Sequence, residues 1–131
     1  MDEVGKSLVG PVVSAGGVGA LPPAPVAIEE FQKLMFRTGT IVAAENHPNA
    51  DRLLVLKVDL GEPTPRQVVA GIKTSYDAST LIGKQVVVVA NLKPATLRGV
   101  ESQGMVLAAQ DDPGIVLVTL DRPVRAGRTV K

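Results

Sequence analysis

The segment from Asn91 to Met105 gathers cations and neutral hydrogen-bonding groups beside the end of a β-rich run. Lys93 and Arg98 can each meet a phosphate, and the guanidinium of Arg98 can do so with two parallel bonds. Asn91, Ser102 and Gln103 can exchange hydrogen bonds with bases, riboses or phosphates. Pro94 and Gly99 shape the loop that presents them. As chemistry alone the cluster fits two readings, a polyanion-binding surface and an ordinary solvated loop.

Little else in the chain suits catalysis. There is no cysteine, so thiol nucleophiles, disulfides and cysteine metal sites are excluded. His47 is the sole histidine. Pro48 directly after it disfavours a helix through His47 and Asp51, and no nucleophile accompanies it, so it reads as a turn histidine with ordinary hydrogen bonds. Asp111-Asp112 precedes Pro113-Gly114 and reads as a solvated turn rather than a cation site. Gly83-Lys84 lacks the following Ser or Thr of a phosphate loop. Pro22-Pro23 stands where a dinucleotide fingerprint at Gly17-Val18-Gly19 would need a helix. The chain is therefore expected to be no enzyme and to use no metal or cofactor.

With 131 residues, 45% hydrophobic and 21% charged, one folded domain is the expectation. The net charge of +1 hides an uneven split. Residues 1–30 carry one base and four acids, and the remainder thirteen bases and nine acids. Such a body attracts polyanions without identifying one. Its three aromatic residues, Phe31, Phe36 and Tyr76, provide no series of stacking platforms for single-stranded bases.

The elements that must position these residues begin after a glycine- and proline-rich tail or linker, residues 1–27. Asp2 and Glu3 oppose the positive end of a secretory signal, and no run is long enough to span a bilayer. Ile28, Phe31, Leu34 and Met35 have the spacing of a short amphipathic helix packing on the domain. Strands are expected at Arg37 to Glu45, where Gly39 allows a bend or bulge, and at Leu54 to Leu60, where Val55, Lys57 and Asp59 form the outer side. Further strands are expected at Arg66 to Ile72, Lys84 to Leu92, Met105 to Ala109 and Ile115 to Leu120, with a short helix at Asp77 to Ile82. This order predicts a mainly β domain over residues 28–131. The expected form is a five-stranded OB-fold barrel, with a helix between strands three and four, an N-terminal helix and a C-terminal extension. An SH3-like barrel or a small sandwich is the structural alternative.

His47-Pro48-Asn49-Ala50-Asp51-Arg52-Leu53, Leu56 to Gly61, Val69 to Ile72 and the Asn91 to Met105 block together resemble the tRNA-binding domain family, in order and spacing over Ile28 to Lys131. That family includes stand-alone bacterial tRNA-binding proteins and modules of methionyl-tRNA synthetases. The resemblance implies a non-catalytic OB-fold module of the cytoplasm that binds folded tRNA by shape and backbone contacts and aids its capture by an aminoacyl-tRNA synthetase, most plausibly methionyl-tRNA synthetase. It also implies a homodimer built through the C-terminal region, with the synthetase catalytic chain as a further partner and no membrane. The RNA-facing positions it implies are Asn49, Arg52, Lys57, Asn91, Lys93, Arg98, Ser102 and Met105. Structural readings stand beside them: Asn49 as a turn cap, Arg52 paired with Asp51, Met105 filling the barrel, Val116 and Val118 in the core. A secretion-associated chaperone module of the same fold, binding polypeptide, is the alternative function.

Overall fold

The computed structural model describes residues 22–131, which fall into two units divided between Lys33 and Leu34. The tail or linker read from the sequence lies outside the described residues up to position 21. In the first unit Ile28–Phe31 forms α1, a single turn with no buried residue. Its apolar spacing predicts a helix reaching Met35, but the helix stops at Phe31. Met35 belongs instead to the second unit's hydrogen-bond ladder: its N–H donates to Asn91 Oδ1 at 2.8 Å and its carbonyl accepts the Ala90 N–H.

The strands of the second unit are β1 (Phe36–Asn46), β2 (Leu54–Asp59), β3 (Arg66–Ala70), β4 (Gln85–Val89), β5 (Ala95–Leu97), β6 (Val100–Ser102), β7 (Met105–Val106), β8 (Ala108–Asp111), β9 (Gly114–Leu117) and β10 (Thr129–Val130). The main sheet runs β3-β2-β1-β4-β7 with antiparallel neighbours, and β10 pairs with β1. Its two edges are brought together by side-chain and main-chain bonds to Ser102 and Gln103, which precede β7. Val69 N–H donates to Ser102 Oγ at 2.9 Å, Gln67 N–H to Gln103 Oε1 at 3.0 Å, and Gln103 N–H to the Gln67 carbonyl at 2.7 Å. The result is the nearly closed five-stranded barrel of the OB-fold.

Period-two alternation fills the barrel: Leu54, Leu56 and Val58 of β2, Val68 of β3, and Val86 and Val88 of β4 have no solvent exposure. The outer side of β2 departs from expectation, because Val55 is only 4% exposed. It pairs across the ladder with Val69, which is also buried, and β6 lies alongside β3 there. Lys57 and Asp59 keep partial access. The expected irregularity in β1 falls between Ile41 and Ala43, where Val42 is the extra residue of a bulge. Gly39 serves a different purpose: a Cβ there would lie 2.5 Å from Val58 Cγ1. Its absence lets β2 pack close.

Between β3 and β4 the expected helix is reduced to a 3₁₀ turn, Ala78–Thr80, which leads into the fully buried Leu81. After β9 the chain returns to the barrel as a strap. Thr38, 2% exposed, donates through Oγ1 to the Arg125 carbonyl at 2.7 Å and accepts the Arg128 N–H at 2.9 Å. The Gln85 side-chain amide bonds both the N–H and the carbonyl of Val124. Gly127, at φ +84°, crosses so close to Leu60 that a Cβ would fall 2.3 Å from its carbonyl oxygen. The β8–β9 hairpin is tied down where Ser75 Oγ and the Tyr76 hydroxyl accept the N–H groups of Ile115 and Leu117, both at 3.0 Å. Leu117 is buried, whereas Val116 and Val118 are exposed, so the core reading of those two valines does not hold. No helix among the described residues is long and apolar enough to cross a membrane.

Candidate nucleic-acid interface

The Asn91 to Met105 block is not a loop throughout. β5 and β6 form a hairpin in register Ala95↔Ser102, Thr96↔Glu101 and Leu97↔Val100, turned by Arg98 and Gly99. Both turn residues have positive φ, 53° and 91°, as a type I′ turn requires. Glycine adopts that conformation freely and arginine seldom does. The turn puts the Arg98 guanidinium at the exposed tip, where Nη2 donates to the Asn49 carbonyl at 3.1 Å.

The other side of this contact is the turn after β1. His47 is buried, and both of its ring nitrogens are used: Nε2 bonds the Leu97 carbonyl and Nδ1 accepts the Asn49 N–H, each at 2.9 Å. It is therefore a turn histidine with hydrogen-bonded nitrogens, as its sequence context indicates. The exposed Asn49 side chain stands beside Gly99, whose missing Cβ would lie 3.9 Å from Asn49 Nδ2. Two segments half a domain apart in sequence thus share one rim.

The expected site residues divide into four pairs. Asn49 and Arg98 are joined directly. Lys93 is exposed just before β5, and Arg52 is exposed after the 47–50 turn, its carbonyl accepting the Lys73 N–H. Arg52, Lys57, Lys93 and Arg98 enter no ion pair among the described residues, so Arg52 does not pair with Asp51 and all four charges remain uncancelled by a contact. Lys57 and Asn91 have structural bonds: Lys57 Nζ donates to Gln67 Oε1 at 2.8 Å, and Asn91 Oδ1 holds the Met35 N–H.

Ser102 and Met105 are placed differently. Ser102 is 4% exposed, and its hydroxyl accepts the Val69 N–H while donating to the Gly104 carbonyl at 3.0 Å. It closes the barrel instead of facing solvent, because its side chain points into the seam between β6 and β3. Met105 is half-buried in β7 opposite Val89. Its neighbour Val106, not Met105, packs against the core, so the barrel-filling reading fails too.

Gln67 and Arg66 are the residues the sequence reading passes over. Gln67 receives Lys57 and donates through Nε2 to the Glu101 carbonyl at 2.7 Å, linking β2, β3 and the hairpin. Its cross-ladder position opposite Lys57 was the available signal. Arg66 pairs with Glu62 at 2.6 Å and reaches the carbonyls of Ala90 and Gln103. A cleft of about 360 Å³ opens beside it, lined by Thr64, Pro65, Leu92 and Pro94 among others.

Residues 36–129 match the family model described as "Putative tRNA binding domain". The chain belongs to that tRNA-binding domain family. The domain is 50% identical over 106 residues to a methionine-tRNA ligase of Thermococcus kodakarensis, a match covering 81% of this chain and 14% of the ligase. A methionine-tRNA ligase of Deinococcus radiodurans is 50% identical over 101 residues, covering 75% of this chain and 15% of the ligase. The chain thus spans a small part of these relatives' length. It is a tRNA-binding domain. Among solved structures, a MetRS related protein from Pyrococcus horikoshii superposes with a TM-score of 0.76 at 33% identity, covering 83% of this chain and 100% of that one. The chaperone CsaA from Bacillus anthracis gives 0.75 at 30% identity, with 82% and 100% covered.

Proposed function

We propose that the domain binds folded tRNA mainly through phosphate, ribose and shape contacts, and that it raises tRNA capture by a methionyl-tRNA synthetase in the cytoplasm, whether as part of that enzyme or beside it. The observation that carries this reading is the rim. Arg98 is fixed to Asn49, with the uncancelled cations Lys93 and Arg52 on the same two flanking segments. Structured RNA holds phosphates and 2′-hydroxyls in set positions, which scattered cations and amides can meet without unstacking bases. Stacking has little support in this unit: the Tyr76 hydroxyl is engaged by Leu117, and Phe36 lies within the β1 ladder. We assign the RNA contacts to Asn49, Arg52, Lys93 and Arg98, with Lys57, Asn91 and Met105 at the margin.

The test is tRNA affinity across a salt series. Replacing Lys93 and Arg98 together by Ala is expected to weaken binding about tenfold and flatten the salt dependence by roughly one unit of slope per lost phosphate contact. Melting should shift little. Unchanged affinity and slope would remove this rim from the site.

The likeness to a chaperone favours a second reading, binding of unfolded polypeptide. Competition distinguishes the two: displacement of tRNA by a denatured protein would support it. A homodimer is also proposed, through the exposed face of the β8–β9 hairpin, where Val116 (50% exposed) stands opposite Ala109. Light scattering that gives a monomer mass at all micromolar concentrations would refute it.

A further inference from the structure

We propose that His47 is a positioning residue that locks the 47–50 turn to the β5–β6 hairpin, so that Asn49 and Arg98 meet tRNA as one preset surface. The proposal rests on the tRNA-binding reading. The geometry admits one arrangement of the ring. A carbonyl can only accept and an amide N–H can only donate, so the bonds to Leu97 and Asn49 require the neutral tautomer with its proton on Nε2 and a lone pair on Nδ1. Arg98 Nη2 returns the connection to the Asn49 carbonyl, which completes a circuit through His47, Leu97, Arg98 and Asn49.

The hairpin needs such a tether. Its strands are three residues each, and a two-stranded hairpin of that length is not stable alone in water. Its turn also holds Arg98 at φ 53°, a conformation the free arginine backbone disfavours. With the ring removed, the hairpin keeps its edge bonds near Ser102, but its tip loses the anchor that aims the guanidinium. Because each bond of the circuit holds the geometry of the other, their effects on binding should be coupled.

The discriminating variant is His47→Asn. An Asn side chain can still accept the Asn49 N–H two residues on, as in an Asx turn, but is too short to reach the Leu97 carbonyl. The variant should fold and lose tRNA affinity by roughly two- to tenfold, the worth of a single net hydrogen bond. Adding Arg98→Ala should then cost less than it does in the wild-type chain, and amide exchange at Val100 to Ser102 should quicken. Unchanged affinity, or losses that simply add, would overturn the proposal. A wild-type chain that binds no tRNA would defeat the functional reading. Exchange in the RNA-free variant then still decides the lock, since unaltered hairpin protection would refute it. Should His47→Asn not fold, exchange in the wild-type chain with and without tRNA decides. Joint slowing at Asn49 and the hairpin supports coupling, and slowing at the hairpin alone overturns it.

Discussion

The C-terminal strap and the cationic rim are attached to the barrel by the same device, a polar side chain bonded to the backbone of a distant segment, yet they differ in what faces water. Thr38 is buried with the strap's carbonyl and N–H groups satisfied around it. His47 is equally buried, but the residues it supports, Asn49 and Arg98, point outward. In the strap the bonded groups are the whole purpose of the contact. In the rim they hold up charges that make few contacts inside the chain. Stability and RNA binding should therefore respond to substitutions in different places.

The sharpest way to break this comparison is Gly127→Ala. The residue sits at φ +84° with the Leu60 carbonyl where its Cβ would go, so unfolding in denaturant should become easier by about 3 kcal/mol. The tRNA affinity of the molecules still folded should stay as it was. A large loss of affinity at full stability would mean the strap belongs to the binding surface.

Ser102→Ala comes next and tests the border between the regions. Ser102 lies in the rim's stretch of sequence but is placed like a strap residue. Leaving the Val69 N–H without its partner should cost about 2 kcal/mol of stability. Its tRNA salt slope should match the parent chain's, and a flattened slope would return Ser102 to the interface.

The smallest effect is the most telling. Arg98→Asn creates the Asn-Gly pair that a type I′ turn favours, so the melting temperature should rise slightly, for a gain of about 0.5 kcal/mol. Binding should nonetheless weaken, because the guanidinium is gone. A variant that is both less stable and fully competent in binding would invert the assignment.

The barrel strands were readable because Leu54, Leu56 and Val58 alternate over a length where period two is distinct. The hairpin at the rim was not readable. Strands of three residues show no periodicity, and Pro94 and Gly99 mask them as loop. Arg98-Gly99 was a turn signal, but arginine at a positive φ is rare enough to hide it. The burial of Ser102 is hidden for a related reason. A serine's polarity suggests exposure, whereas here Val69 of β3 and Gly104, just after β6, supply both bonding partners for its hydroxyl. The helix at Ile28 was predicted too long because apolar spacing cannot show that Met35 is claimed by Asn91, 56 positions away. The grouping of the rim was visible only as two separate motifs. Their contact depends on a buried imidazole whose partners are main-chain atoms, and main-chain atoms leave no mark in a sequence.

The pairing of β10 with the start of β1 sets Val130 directly across from Phe36. The doorway by which the polypeptide enters the barrel is thus also its way out, with the two threads separated by one strand spacing of about 5 Å. A cassette of this kind can be grafted onto a larger host, or spliced into one of its surface loops, without either party having to stretch.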